Sequence, residues 1–408
     1  MNLISPAWDP RKEKEIRQML AELRALEESG HFDNLTHHED GPVGVRPADG
    51  RPHGKAESQK DEARGRIMAK RVSLLKPIET PMAPALSQFM TQISVQDRTD
   101  PYKLESQRRF EEAVGQVRIL FGKIARGEVA SNALIRSIVG SFLDNFMKDR
   151  NLLLNLAAHP YHGVDYLYDH SLKLCLLSLS IASAAGYSRG QAIEIAQGAL
   201  LADVGMMLVP EKIRLKRGKL TQDEIFEMQK HPILGMALLE PIHGLSEATL
   251  IIPLQHHERI SGSGYPEKRS GALVSRFSRI VGIADVFTAL INKRSYREAL
   301  IPYNAMVAIL SMGGQGLLDG DHIRNFLRTL SIFPLGSLVR LSSGRIGKVV
   351  APNPAEFTKP LVSILTSETG AALSKERIIQ VDLAVAVSET IVEALPGSAF
   401  KNSIIDGF

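Results

Sequence analysis

Apolar residues recur at helical spacing over most of the chain. Between 102 and 150, Phe110, Val114, Val117, Leu120 and Phe121 share one face, and Ile135, Ile138, Val139, Phe142 and Phe146 share another. A repeat of three and four residues puts such positions on the side of a helix that must leave water. Helix follows helix to about 330, with only short loops between. Thr221 with Glu224 is a capping-box pair and predicts a helix start. Pro232 fits the first turn of the next helix, where its missing N–H has no bond to lose. Ile280, Val281, Ile283, Ala284, Phe287 and Leu290 predict a helix over about 276–291.

The ends differ. Residues 9–28 read as a charged helix with a narrow stripe of Ile16, Met19, Leu20, Leu23 and Leu26. That stripe fits pairing with a second subunit, giving a homodimer, or packing on its own domain. Residues 30–65 lose periodicity and read as a flexible linker, with His31, His37, His38 and His53 solvated in or near it. After Pro334, GSLVRLSSGRIGKVVAPNP reads as strand, turn, strand, and PLVSILTS as a further strand. The expected order is a helix plus linker over 1–66, a helical N-terminal region over 67–150 and a helical domain over 151–330. A small β-rich module over 334–385 and a tail over 386–408 follow. The predicted fold class is mainly α with a small C-terminal β-rich module.

Composition narrows the setting. The single cysteine among 408 residues excludes a disulfide framework and any multi-thiolate zinc site, and fits a reducing compartment. No apolar run reaches the roughly 18 residues that span a bilayer. The longest, Leu172 to Tyr187, is broken by Lys173, Ser178, Ser180 and Ser183. The first residues, MNLISPAWDPRKEKE, hold no apolar signal core. A cytoplasmic protein without a membrane span is expected. A net charge of +4 is too mild to argue for DNA or RNA.

Separated segments put metal-capable side chains beside turns or helix ends: His170 in YLYDHSLKL, Asp203 in ALLADVGMMLVP, His231 in MQKHPILG, and His256 and His257 in LQHHERISGSGYP. Asp285 lies on an apolar helix. A lone histidine near a helix end usually caps or packs. An aspartate among Ile280, Val281, Ile283, Val286 and Phe287 is another matter, because an unpaired carboxylate is costly to bury. Asp203, after Ala199, Leu200 and Leu201, raises the same problem. Carboxylates and imidazoles together suit Fe, Mn, Zn or Ni better than Mg or Ca alone.

The run HHERISGSGYP, followed by VGIADVFTALINKRSYREA, resembles the signature of HD-GYP proteins, the cyclic-di-GMP phosphodiesterase branch of the HD phosphohydrolase superfamily. The resemblance covers roughly 105–330, and similar extensions are seen beyond it. It implies an HD-type helical bundle over 151–330, a divalent transition-metal centre and cyclic-di-GMP or a related nucleotide as ligand. The implied metal ligands are His170, Asp203, His231, His256, His257 and Asp285, with Asp203 also catalytic. Gly264, Tyr265 and Pro266 match the GYP loop. Arg294 matches an arginine used near the ligand phosphates, with Tyr296 and Arg297 beside it. A protein partner is expected at the GYP loop or the N-terminal helix.

The chain also departs from that pattern. The family's His-Asp pair falls on Ala202 and Asp203, its lysine on Met206, and an acidic position on Thr288. Alanine offers no lone pair, so one metal site keeps His170, Asp203 and Asp285 and lacks its fourth ligand. The neighbouring site of Asp203, His231 and His256, with His257, keeps its residues. Loss of hydrolysis with retained binding is the expected outcome, and one ion rather than two. The competing expectations are an active phosphodiesterase with an altered metal site and an interaction protein without ligand.

Overall fold

The structure is a computed structural model, and it describes residues 101–128, 131–148, 166–216, 218–292, 299–353, 355–386 and 388–395. The expectations for 1–66, and for Arg294, Tyr296 and Arg297, lie outside these residues. The first helices are α1 (Pro101–Ala125), α2 (Asn132–Lys148), α3 (Tyr166–Ala184) and α4 (Arg189–Leu201). A 3₁₀ turn at Val204–Leu208 leads to the short helices α5 (Glu211–Arg214) and α6 (Gln222–Met228). Then come α7 (His231–Leu239), α8 (Glu247–Gln255), α9 (Arg276–Ile291), α10 (Pro302–Gly314) and α11 (Gly320–Leu330).

Helix α3 is the centre of the bundle. It packs against α1, α2, α4, α9 and α11. Every residue from Asp169 to Ala182 is buried, so this helix has no wet face. That is why its sequence shows a greasy run rather than a stripe. Several of its polar positions are met inside the helix. Ser171 donates to the Leu167 carbonyl at 3.0 Å and Ser180 to the Leu177 carbonyl at 2.8 Å. Lys173 meets Asp169 one turn back at 3.1 Å, both buried. Val117, Leu120, Phe121, Ile135 and Val139 are fully buried, as their spacing predicts.

Local signals set the helix starts. Thr221 and Glu224 form the reciprocal capping box that opens α6, and Ser188 with Gln191 forms another at α4. Pro232 stands in the first turn of α7. Helix α9 spans the stretch predicted from its apolar positions.

After α11 the chain forms a five-stranded antiparallel sheet, ordered β4-β3-β2-β1-β5. Its strands are β1 (Leu338–Leu341), β2 (Ile346–Ala351), β3 (Leu361–Ile364), β4 (Gln380–Asp382) and β5 (Ile391–Leu395). Val339, Leu341, Val349, Val362 and Ile364 form its small core. The expected end of the module at 385 is too early. Strand β5 falls in the stretch read as tail, and its Leu395 pairs with Leu338. Its five residues, IVEAL, are too few to stand out as a strand from their own pattern.

The segment 331–335 joining helices to sheet is buried throughout. Ser331 Oγ donates to the Phe357 carbonyl, and the Ile332 N–H donates to the same carbonyl at 3.2 Å. Phe333 stacks on Tyr303 of α10, with ring centroids 5.1 Å apart and planes within 7°.

Candidate metal centre

Different elements bring the donors together. His170 is in the first turns of α3 and Asp285 in the middle of α9. Asp203 sits between α4 and the 3₁₀ turn. His231 opens α7, and His256 closes α8 with His257 after it. One glycine makes the approach of the 3₁₀ turn to α7 possible. A Cβ on Gly205 would lie 2.0 Å from the His231 carbonyl oxygen and 2.5 Å from the Gly235 nitrogen. Only a bare Cα lets these backbones touch, and that contact sets Asp203 beside His231.

Asp203 is the hub. Its Oδ1 lies 3.3 Å from His231 Nε2 and 3.8 Å from His256 Nε2. Its Oδ2 lies 3.2 Å from His170 Nε2. His170 Nε2 also reaches Asp285 Oδ1 at 3.2 Å, and Asp285 Oδ2 lies 3.3 Å from His257 Nδ1. All six sequence-derived donors therefore form one connected cluster. Asp203, His231, His256 and His257 are the tightest group, with one ligand atom from each lying within 4.8 Å of the others.

The hydrogen bonds of the donor set decide whether it fits a cation. His231 Nδ1 faces the Met228 carbonyl at 2.8 Å, and His256 Nδ1 faces the Pro253 carbonyl at 2.9 Å. A carbonyl oxygen only accepts, so each Nδ1 carries the ring proton and each Nε2 presents a lone pair. These two Nε2 atoms stand 3.4 Å apart, beside the Asp203 carboxylate. Lone pairs and a carboxylate converging with no proton between them repel one another. A metal ion among them turns that repulsion into coordination, and carbonyl-anchored imidazoles are the usual way to aim such ligands. The residues fit the group.

Electrostatics agree with the geometry. Burial pushes His231 below the ordinary imidazole range, and Asp203 only partly restores it. Burial and the neighbouring His256 push His257 well below. For Asp203, burial opposes ionisation, but the neighbouring imidazoles, His170 foremost, hold it well below the usual carboxylate range. Asp285 is lowered too, by His257 and His170 against its burial. His170 goes the other way. Burial favours the neutral ring, but Tyr166, Asp203 and Asp285 outweigh it and raise the ring well above its ordinary value. Its Nδ1 is buried and has no hydrogen-bond partner among the described residues.

Ala202 is fully buried beside Asp203, as the C-cap of α4. Met206 and Met207 follow in the 3₁₀ turn, and Tyr168 Oη lies 3.7 Å from Met207 Sδ. Thr288 is buried and donates to the Ala284 carbonyl at 2.8 Å, which satisfies it within α9.

The loop after the paired histidines covers one side of the cluster. Tyr265 stacks on His257, with ring centroids 4.6 Å apart and planes within 22°. It meets His231 edge-on at 6.3 Å. A Cβ on Gly264 would lie 2.5 Å from the His257 carbonyl oxygen, the Glu258 Cα and the Arg259 nitrogen. The close approach allowed by this glycine is thus to the chain's own backbone. Sequence reasoning passed over Glu258, which is buried and accepts backbone N–H groups of the loop from Glu267 at 2.8 Å and Arg269 at 3.0 Å. An acid inside a run as polar as HHER carries no burial signal. Arg259 is half-buried, and its Nη1 donates to the carbonyls of Glu258 and His256.

Residues 156–321 match the model of the HD domain, and 338–403 match that of the KOW domain associated with HD domain. The chain carries an HD domain and is related to the HD-GYP proteins. Among curated proteins it is similar to the cyclic di-GMP phosphodiesterase PA4108 of Pseudomonas aeruginosa, 28% identical over 288 residues, covering 70% of this chain and 68% of that protein. It is also similar to the cyclic di-GMP phosphodiesterase response regulator RpfG of Xanthomonas campestris pv. campestris, 37% identical over 149 residues, 36% of this chain and 39% of that one. Among solved structures, Bd1817, a HDG"Y"P protein of Bdellovibrio bacteriovorus, aligns at 16% identity with a TM-score of 0.40, covering 66% of this chain and 76% of that one. Among the described residues, no helix is long and apolar enough to cross a membrane.

Proposed function

We propose that this chain is a cyclic-di-GMP signalling protein of the HD-GYP kind that binds its nucleotide and hydrolyses it poorly or not at all. One divalent transition metal, of the Fe, Mn, Zn or Ni class, is held by Asp203, His231, His256 and His257. The observation that carries this reading is the unequal state of the cluster. The tightest donor group is complete, while buried Ala202 stands beside Asp203 where the family's pattern has an imidazole. The names of the relatives support the nucleotide class.

A metal bound here would supply a Lewis acid for a phosphate oxygen and lower the pKa of a bound water. The protein's own groups do the rest. The Met228 and Pro253 carbonyls hold two imidazoles in the tautomer that offers Nε2. Asp203 spans both halves of the cluster. Tyr265 screens His257 from water on one face. Arg294 and Arg297 are proposed as phosphate partners on the motif alone. Met206 brings neither charge nor proton to the phosphate, unlike a lysine. Losing a supporting partner of a metal ligand costs about 10–100-fold in affinity or activity, and losing a ligand costs at least as much.

A second reading, an active phosphodiesterase with an altered site, is favoured by one observation. His170 and Asp285 remain joined to Asp203 despite the missing imidazole. Protein partners, a homodimer and a cytoplasmic setting belong to the same proposal, the last supported by a single cysteine that is buried.

Elemental analysis of protein purified without chelator or added metal, with cyclic-di-GMP calorimetry and a turnover assay, separates the readings. About one metal per chain with nucleotide binding and no turnover is the expected result. Two metals with turnover establish the active enzyme. Neither metal nor binding leaves an interaction protein without ligand.

A further inference from the structure

We infer that Glu258 is a positioning residue. It ties the loop carrying Gly264, Tyr265 and Pro266 onto the histidine turn and so sets Tyr265 against His257. The inference deepens the reading above and rests on it for the nucleotide arm of its test. Glu258 immediately follows His257, yet its carboxylate does not turn to the metal cluster. Its two oxygens reach across the loop and accept from the Glu267 and Arg269 N–H groups, at 2.8 and 3.0 Å. Charge-assisted bonds to backbone N–H are strong, and here the accepting carboxylate is buried, so breaking them leaves it unpaired.

Three further contacts close the same joint. The Tyr265 N–H donates to the His257 carbonyl at 3.3 Å. Gly264 has no room for a Cβ against the 257–259 backbone. Arg259 Nη1 pulls the His256 and Glu258 carbonyls together from the other side. Further along, Gln255 accepts from the Ser275 N–H at 2.8 Å and donates to the Leu273 carbonyl at 3.3 Å. Arg279 donates to the carbonyls of Gly271 and Val274, and to Asp319 at 2.9 Å. The loop is anchored at both ends, and Glu258 is the anchor nearest the cluster. The consequence is a rim built in advance rather than a lid that closes on the ligand. An aromatic ring held flat on a metal-capable imidazole fixes that imidazole's plane as well as the wall of the nucleotide pocket.

The test compares zinc-loaded wild-type protein with Glu258→Ala, Glu258→Gln and Gly264→Ala. The first readout is the proton resonance of the His257 ring, which the stacked Tyr265 shifts upfield. The second is amide exchange at Glu267 and Arg269. The third is cyclic-di-GMP affinity, with zinc content measured in parallel. Glu258→Ala should lose the ring shift and the amide protection, keep its zinc and weaken the nucleotide about tenfold or more. Gly264→Ala should match it by displacing the loop from the other side, and Glu258→Gln, which keeps one acceptor oxygen, should fall between. A ring shift and amide protection that survive Glu258→Ala overturn the inference. So does unchanged nucleotide affinity once the stack is lost. If wild-type protein binds no nucleotide, the proposed function fails, while the ring shift and amide exchange still decide whether Glu258 holds the loop.

Discussion

The two halves of the donor cluster differ in what orients their imidazoles. His231 and His256 are aimed by backbone carbonyls, which no side-chain substitution removes. Among the described residues His170 has no partner at Nδ1, and Asp203 and Asp285 meet it at Nε2. The first half presents lone pairs to one another, which a cation would balance. The second satisfies itself, an imidazole between two carboxylates. If position 202 lacks a ligand as proposed, the half around His170 still closes on its own members while the other would hold the ion.

Asp203→Ala gives the largest expected effect, since that carboxylate serves both halves. Metal content should fall by more than about 100-fold in affinity, and a variant that still carries one ion per chain removes the central role given to Asp203. His231→Ala removes a proposed ligand and should weaken metal binding by about 100-fold or more, whereas His170→Ala removes a partner of Asp203 and should cost about tenfold. Equal losses in a side-by-side metal titration would erase the distinction between the halves.

Ala202→His with Met206→Lys should restore the second site, raising metal per chain and cyclic-di-GMP turnover together, the latter by about tenfold or more. Ala202 is fully buried, so the added ring should cost about 1–3 kcal/mol of stability in metal-free protein. A double variant that binds two ions and stays inert shows that the missing ligand is not what limits hydrolysis.

The smallest effect concerns pH. Burial lowers His231 and His257 below the ordinary imidazole value, so protons compete for these rings only at lower pH than for free imidazole. Metal affinity should stay nearly flat from pH 7.5 to about 6.5 and weaken only below that range. A steep decline already above about 6.5 in a zinc titration would contradict the burial-driven shift.

Much of this was legible in the sequence, and the rest was hidden for physical reasons. Helix α9 could be read because its apolar residues repeat at helical spacing, and α6 because Thr221 and Glu224 cap each other. Asp203 and Asp285 stood out as acids in apolar company, which burial makes expensive without a partner. The proposal of a complete and a depleted half comes from Ala202. Their different means of orientation did not, because the Met228 and Pro253 carbonyls carry no side-chain signature. Glu258 was hidden by its polar neighbours, since its burial depends on a loop that folds back from Gly264 to Arg269. Strand β5 was missed because pairing with β1, far away in sequence, is what makes it a strand.

The buried stretch from Ser331 to Leu335 gives the molecule a welded joint where many chains of this size have a swivel. Phe333 lies flat on Tyr303, and both Ser331 and Ile332 grip the Phe357 carbonyl, so the strands have little freedom to swing relative to α10. A torque applied to the sheet must pass into the bundle as strain, because no slack segment lies between them to absorb it.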